Sequence, residues 1–269
     1  MMTMKVLPLA LIGLLALGGT AFAQSADLSQ PLTPKDVHWS YEGPFGVYDQ
    51  AALQRGFQVY KEVCSACHSL NRVAFHALSE PGGPSFDDAQ MKAIAAGYQI
   101  VAGPNDKGQI TDANGTPLMR PGTPADTFPP PFANEQAART ANGGALPPDL
   151  SLIVKARDGG AQYVYSIVTG DGSAVPAGFH VMDSKYYDPY FAGRNISMPP
   201  PLRDNSVTYS DGTKATKEQE AHDVVTFLAW ASEPKLEQRH RMGLGVMIFL
   251  IVFAGVLFLA YRKIWRDAH

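Results

Sequence analysis

Cysteine is almost absent. The chain of 269 residues has two, Cys64 and Cys67, which excludes a disulfide-stapled scaffold and a four-cysteine zinc site. Basic charge is not in excess either. The formal net charge is −3, and residues 24–241 alone carry 18 Lys and Arg against 24 Asp and Glu, a net −6. An acidic domain repels nucleic acid, so no nucleic-acid partner is expected, and it can attract a basic protein. No internal repeat or low-complexity tract is present. No βαβ pattern surrounds the two cysteines, which counts against a thioredoxin-like redox pair.

What is there begins with the run Cys64-Ser65-Ala66-Cys67-His68. C-x-x-C-H reads as the attachment site of one covalently bound c-type haem. Two thiols must reach two vinyl groups of one porphyrin, and two intervening residues put both sulfurs on one side of a turn. His68 follows directly and can offer a ring nitrogen to the iron. Thiol–disulfide exchange between Cys64 and Cys67 is a rival use of the same residues.

The ends of the chain carry apolar runs. Residues 1–23 read as a secretory signal: Lys5, an uncharged stretch from Val6 to Thr20, then Ala21-Phe22-Ala23 as a small-residue cleavage site,. Gly243–Tyr261 is 19 residues without a charge, about 28 Å of helix and close to the thickness of a bilayer core. The expected division is a signal at 1–23, an exported haem domain at 24–241, a transmembrane helix at 242–261 and a cytoplasmic tail at 262–269. Tyr261 and Trp265 stand where interfacial aromatics are expected.

Between the ends, 21 prolines and 25 glycines predict long ordered loops. Residues 24–46 read as an extended arm. Leu53, Phe57, Tyr60 and Cys64 share one face of a helix that delivers the haem motif. Further helices are expected at 86–98, 135–140, 148–157 and 161–169, and an amphipathic one at 217–232. Residues 101–134 read as an irregular excursion across the haem pocket, and 171–216 as largely irregular.

An electron-transfer haem usually has a second strong axial ligand, often Met. Met91 falls in a helical pattern and reads as core. Met119, Met182 and Met198 lie in loop-like sequence. Met198, followed by Pro199-Pro200-Pro201, is the best choice and Met182 the second, because a polyproline segment is stiff. His180 and His222 are the histidine alternatives.

Three stretches, VCSACHSL at 63–70, NGGALPPDLSLIVKAR at 142–157 and DPYFAGRNISMPPPL at 188–202, together with the C-terminal anchor, resemble the cytochrome c1 family, the haem subunits of cytochrome bc1 complexes. The resemblance covers most of the chain after the signal. It implies a mainly α cytochrome c-like haem domain with long loop insertions and one C-terminal transmembrane helix. It implies one haem c, with thioethers at Cys64 and Cys67 and iron held by His68 and Met198. Asn142, Pro148, Arg157 and Tyr163 match family positions that line the haem or contact its propionates. The implied role is one-electron transfer from a Rieske iron–sulfur protein to a soluble cytochrome c, within a quinol–cytochrome c oxidoreductase and not as an enzyme alone. The implied partners are cytochrome b, the Rieske protein, the acceptor cytochrome and membrane lipid. The implied location is the bacterial inner membrane, single-pass, with the haem domain periplasmic. Asp106, Asp112, Asp183 and Asp188 are the loop acids offered for docking a basic acceptor. Two rivals remain: a haem sensor or enzyme with an open sixth position, and an anchored cytochrome serving an oxidase.

Overall fold

The computed structural model describes residues 30–266. The expected signal at 1–23 and the last three residues of the tail lie outside the described residues. Among these residues the structure is mainly helical, with six α-helices and two short antiparallel strand pairs.

Helix α1 spans Gln50–Glu62. It starts where the Asp49 carboxylate accepts the backbone N–H groups of Ala51 and Ala52 at 2.9 and 3.2 Å, satisfying donors that a helix start leaves open. The expected face, Leu53, Phe57 and Tyr60, is buried. Its end passes into one tight turn, Cys64–Ala66, so the helix hands the C-x-x-C-H run directly to the site. Helix α2, Asp88–Ala96, is bounded by an Asp87/Gln90 capping box and by Gly97,.

Strand β1, Gln99–Val101, pairs antiparallel with β2, Met119–Pro121, with Ile100 opposite Arg120. The excursion expected to be irregular therefore begins as a hairpin. Its tip closes on Asp112, whose Oδ1 accepts from the N–H groups of Asn114 and Thr116. Helices α3, Glu135–Ala141, and α4, Gly160–Thr169, fall within one residue of the expected 135–140 and 161–169.

The helix expected over 148–157 does not form. This segment is a series of turns. Its first residues spend their hydrogen-bonding groups on another part of the chain, and the positive φ of Gly159 and Gly160 closes it,. Strands β3, Tyr186–Tyr187, and β4, Asn195–Ile196, make a small ribbon in the otherwise irregular 171–216 stretch.

Helix α5, Lys217–Ser232, matches its expected limits but not its expected character. The stripe Ala221, Val224, Val225, Leu228 and Ala231 is buried, and so are Glu220, Asp223, Thr226 and Trp230. The helix is enclosed nearly all round because its polar residues find partners inside. Arg55 of α1 grips the Asp223 carboxylate with Nε and a second nitrogen at 2.8 and 3.0 Å. Glu220 accepts the backbone N–H of Val207. Around the α1–α5 crossing lies an aromatic core: Phe57 and Tyr60 meet Phe227 at 5.7 and 5.9 Å between ring centroids, and Phe75 meets Phe128 at 4.5 Å,.

Helix α6, Leu236–Trp265, is a continuous 30-residue helix with a mean hydropathy of 2.8 in its most apolar stretch. Its length of about 45 Å exceeds a bilayer core. The helix therefore begins before the expected anchor at 242–261, and residues 236–241 are its first turns. Those turns are tied to the domain: Tyr48 N–H donates to Glu237, Glu233 bridges Arg239 and Lys155 at 2.6 and 2.7 Å, and Gly46 accepts from His240.

The tightest point of the crossing is Gly56. A β-carbon there would overlap the backbone carbonyl of Asp223 and press on the Phe227 side chain. Replacing Gly by Ala in a helix ordinarily gains about 0.5–1 kcal/mol. Overpacking against rigid backbone costs about 1–3 kcal/mol or more and wins here. Gly56→Ala is therefore expected to lower the thermal unfolding midpoint of the purified protein, and an equal or higher midpoint would contradict this packing.

Candidate functional site

The site is built where the end of α1 meets the turn segment after α3. Within the C-x-x-C-H run, the carbonyl of Cys64 accepts the N–H groups of both Cys67 and His68, at 3.1 and 2.9 Å. Ser65 Oγ donates to the Lys61 carbonyl at 2.7 Å and fastens the turn to the helix. Cys64 and Cys67 are unpaired thiols, the first half-buried and the second exposed. Burial, then the neighbouring Cys67, pushes the Cys64 thiol up to about 12. Exchange-active cysteines need a lowered value, so this thiol is poorly suited to disulfide exchange. Among the described residues, no three His, Cys, Asp or Glu side chains are grouped as a metal-ion site.

His68 Nδ1 lies 2.8 Å from the Pro148 carbonyl oxygen. A carbonyl can only accept, so Nδ1 carries the proton and donates. Nε2 is then left with its lone pair free for iron. Burial holds the ring's protonation below the ordinary histidine range, against the raising effects of the Pro148 bond and Asp149. Two free thiols with two residues between them, beside an imidazole with a free Nε2, fit a covalently attached haem.

A group of hydrogen bonds that sequence reasoning missed holds Pro148 in place. Asp149 Oδ2 accepts from Ser69 Oγ and the Asn71 N–H at 2.7 and 2.9 Å, and Oδ1 accepts the Ser151 N–H at 2.9 Å. Leu150 N–H donates to the Ser69 carbonyl, and Arg72 N–H to Ser151 Oγ. Tyr60 adds a 3.3 Å bond from its hydroxyl to the His68 carbonyl. Burial alone would raise the Asp149 carboxyl, but the bonds from Asn71, Ser151 and Ser69 outweigh it and hold it below its ordinary value. The Asp149-Leu150-Ser151 pattern, an acidic residue bonding the backbone two residues on, is the signal that could have marked it.

The remaining expected residues lie as follows. Asn142 is half-buried and its amide donates to the Ala138 carbonyl, so it also closes α3. Arg157 is exposed, bonds only the adjacent Ala156 carbonyl and makes no ion pair among the described residues. Tyr163 is half-buried; burial raises its hydroxyl, while Arg157 nearby lowers it and Asp188 adds to the rise. Arg157 is close enough to act on the Tyr163 hydroxyl electrostatically, and its guanidinium has no carboxylate partner among the described residues. The structure brings Cys64, Cys67, His68 and Pro148 together as one cluster.

Of the methionines weighed for the sixth ligand, Met91 is 4% exposed within the core, whereas Met119 and Met182 are 49% and 59% exposed. Met198 is half-buried and is followed by the proline run and the buried Leu202. The histidine alternatives fare differently. His180 is exposed, and His222 is stacked on Trp39 at 4.8 Å within the helical core.

Asp188 departs from its expected role. Asp106, Asp112 and Asp183 are exposed, but Asp188 is only 2% exposed and so is not a surface acid. It accepts the Tyr190 N–H at 2.8 Å, and its own N–H donates to the Arg194 carbonyl at 3.2 Å. Burial pushes its carboxyl up from 3.8 to about 6, despite backbone donors and Lys35 that favour the anion.

The family model described as the Cytochrome C1 family matches residues 39–268. The chain is 46% identical to cytochrome b/c1 of Bradyrhizobium diazoefficiens, over 96% of this chain and 39% of that protein. The chain thus spans well under half the length of that relative. It is 47% identical to cytochrome c1 of Rhodospirillum rubrum, over 94% of this chain and 93% of that one. It is 42% identical to "Cytochrome c1 1, heme protein, mitochondrial" of Arabidopsis thaliana, over 94% of this chain and 78% of that one.

The Asp188 carboxyl binds its proton more tightly folded than unfolded. Its stabilising contribution is present in full below about 4 and is lost as pH rises through about 6,. Asp188→Asn is expected to remove that loss, a gain on the order of 2–3 kcal/mol at pH 7 and little change at pH 4. Thermal unfolding of the two proteins across this pH range checks it; a pH-independent difference would refute the assignment.

Proposed function

Because the chain belongs to the cytochrome c1 family, we propose that it is the membrane-anchored haem c subunit of a bacterial cytochrome bc1 complex, passing single electrons from a Rieske iron–sulfur protein to a soluble c-type cytochrome. The observation that carries this reading is the 2.8 Å bond from His68 Nδ1 to the Pro148 carbonyl, directly after two unpaired cysteines. When bound, the haem supplies a one-electron ferric/ferrous couple.

The chain's own residues hold and tune that couple. Cys64 and Cys67 form the thioethers. His68 Nε2 and the Met198 thioether sulfur would hold the haem iron. Met198 is supported by its half-burial and by Pro199-Pro200-Pro201, which cannot donate backbone hydrogen bonds and hold an extended course. Arg157 supplies a fork suited to a propionate, with Tyr163 beside it. Asn142 and Pro148 line the group.

Helix α6 anchors the subunit, with 1–23 removed as a signal, the haem domain facing the periplasm and 262–269 in the cytoplasm. The anchor packs against cytochrome b and lipid, and the Rieske protein is the third neighbour. The exposed acids Asp106, Asp112 and Asp183 suit a basic acceptor. The chemistry needs these partners, so the chain is an electron carrier and not an enzyme by itself.

The test is spectroscopic. The reduced protein should show a c-type band that survives denaturation and does not shift with carbon monoxide, and Met198→Leu should open the sixth position to carbon monoxide. An unchanged spectrum and potential in Met198→Leu would reject the ligand, and haem lost on denaturation would reject covalent attachment. Electron transfer to a basic cytochrome should slow as ionic strength rises, because surface charges are screened. A salt-independent rate would count against docking by the acidic loops.

A further inference from the structure

The two segments that form the site come from places some eighty residues apart, and neither is a helix or strand where they meet. One backbone bond, Leu150 N–H to the Ser69 carbonyl, joins them. Side chains supply the rest, and Asp149 is their centre. Its two oxygens take three bonds, two from the 69–71 segment and one from Ser151. Ser151, fully buried, accepts the N–H of Arg72 on its Oγ. Asp149 immediately follows Pro148, whose carbonyl accepts the hydrogen bond from His68 Nδ1.

We propose that Asp149 is a positioning residue for the haem iron's histidine: by clamping 148–151 onto 68–72 it fixes the Pro148 carbonyl against His68 Nδ1 and so sets the orientation and donor strength of the imidazole. This rests on the haem reading above. The residue type follows from the bonds. Only a carboxylate can accept on both oxygens. An Asn would accept on one and turn an N–H₂ group towards a donor with the other. Glu would carry the same charge on a longer stem that cannot keep both sets of bonds.

The consequence for the couple has a definite sign. A well-made Nδ1–H to carbonyl bond raises the basicity of Nε2, which favours ferric iron. Loosening the clamp weakens that bond and favours ferrous iron. Removing the carboxylate's charge acts in the same direction, so a charge-neutral perturbation is needed to isolate position. Ser69→Ala with Ser151→Ala supplies it, deleting two of the clamp's bonds with no change of charge.

The experiment uses the complete complex in membranes, with Asp149→Asn, the double serine variant and the unaltered chain. Haem retained after denaturation reports attachment in each. Redox titration reports the couple, and the ferric electron paramagnetic resonance spectrum reports the imidazole plane. Asp149→Asn is expected to raise the ferrous-to-ferric ratio at fixed ambient potential about tenfold, equal to about 59 mV for one electron. The double serine variant should shift the ratio several-fold in the same direction and move the ferric g values. If Asp149→Asn retains its haem with an unchanged potential and spectrum, the proposal fails. It also fails if Asp149→Asn shifts the couple while the serine variant moves neither readout, since charge alone would then explain the effect. Should Asp149→Asn not assemble, the serine variant decides by itself. Loss of haem on denaturation of the unaltered chain would instead remove the haem reading, a distinct outcome.

Discussion

Helix α1 can approach α5 only because residue 56 has no side chain, and the placement of the C-x-x-C-H run depends on that contact. The Asp223 carbonyl occupies the space that a β-carbon would take. The preceding residue, Arg55, closes on the Asp223 carboxylate, and Phe57 and Tyr60 pack on Phe227. Separating such a buried pair would leave an uncompensated charge at a cost of about 3–5 kcal/mol. The crossing is therefore fixed in both distance and rotation. The two cysteines and His68 emerge from the end of α1 with that same fixed direction.

The other half of the site is held by different means. Residues 142–157 lack the repeating hydrogen bonds of a helix or sheet, so their backbone groups need partners one by one. Asn142 closes α3, Pro148 accepts from His68, and Asp149 gathers donors from Ser69, Asn71 and Ser151. This is why a segment with few regular features can still present one carbonyl at a fixed place. Prolines at 147 and 148 help by removing two donors that would otherwise need partners,.

The same segment reaches the membrane anchor. Lys155, two residues before Arg157, pairs with Glu233, which also pairs with Arg239 in the first turns of α6. Tyr48 sends its hydroxyl to the carbonyls of Ala229 and Glu233. The apolar helix thus leaves the haem domain from a hydrogen-bonded base, and its remaining length is exposed apolar surface that a bilayer would cover.

Local chemistry was legible in the sequence. The C-x-x-C-H spacing, the limits of α5 and the apolar run in α6 each depend on residues close together in the chain, so the sequence by itself determined them. It also determined the family, through motifs whose order spans most of the chain. Tertiary structure alone decided the rest. It moved Asp188 from surface to interior, turned the expected amphipathic α5 into an enclosed helix and unmade the helix over 148–157. It also revealed Asp149, whose bonds to Ser69 and Asn71 cross nearly eighty residues. The reason is common to these cases: burial and long-range hydrogen bonding depend on which distant segments meet, and periodicity within one segment carries no record of its partners.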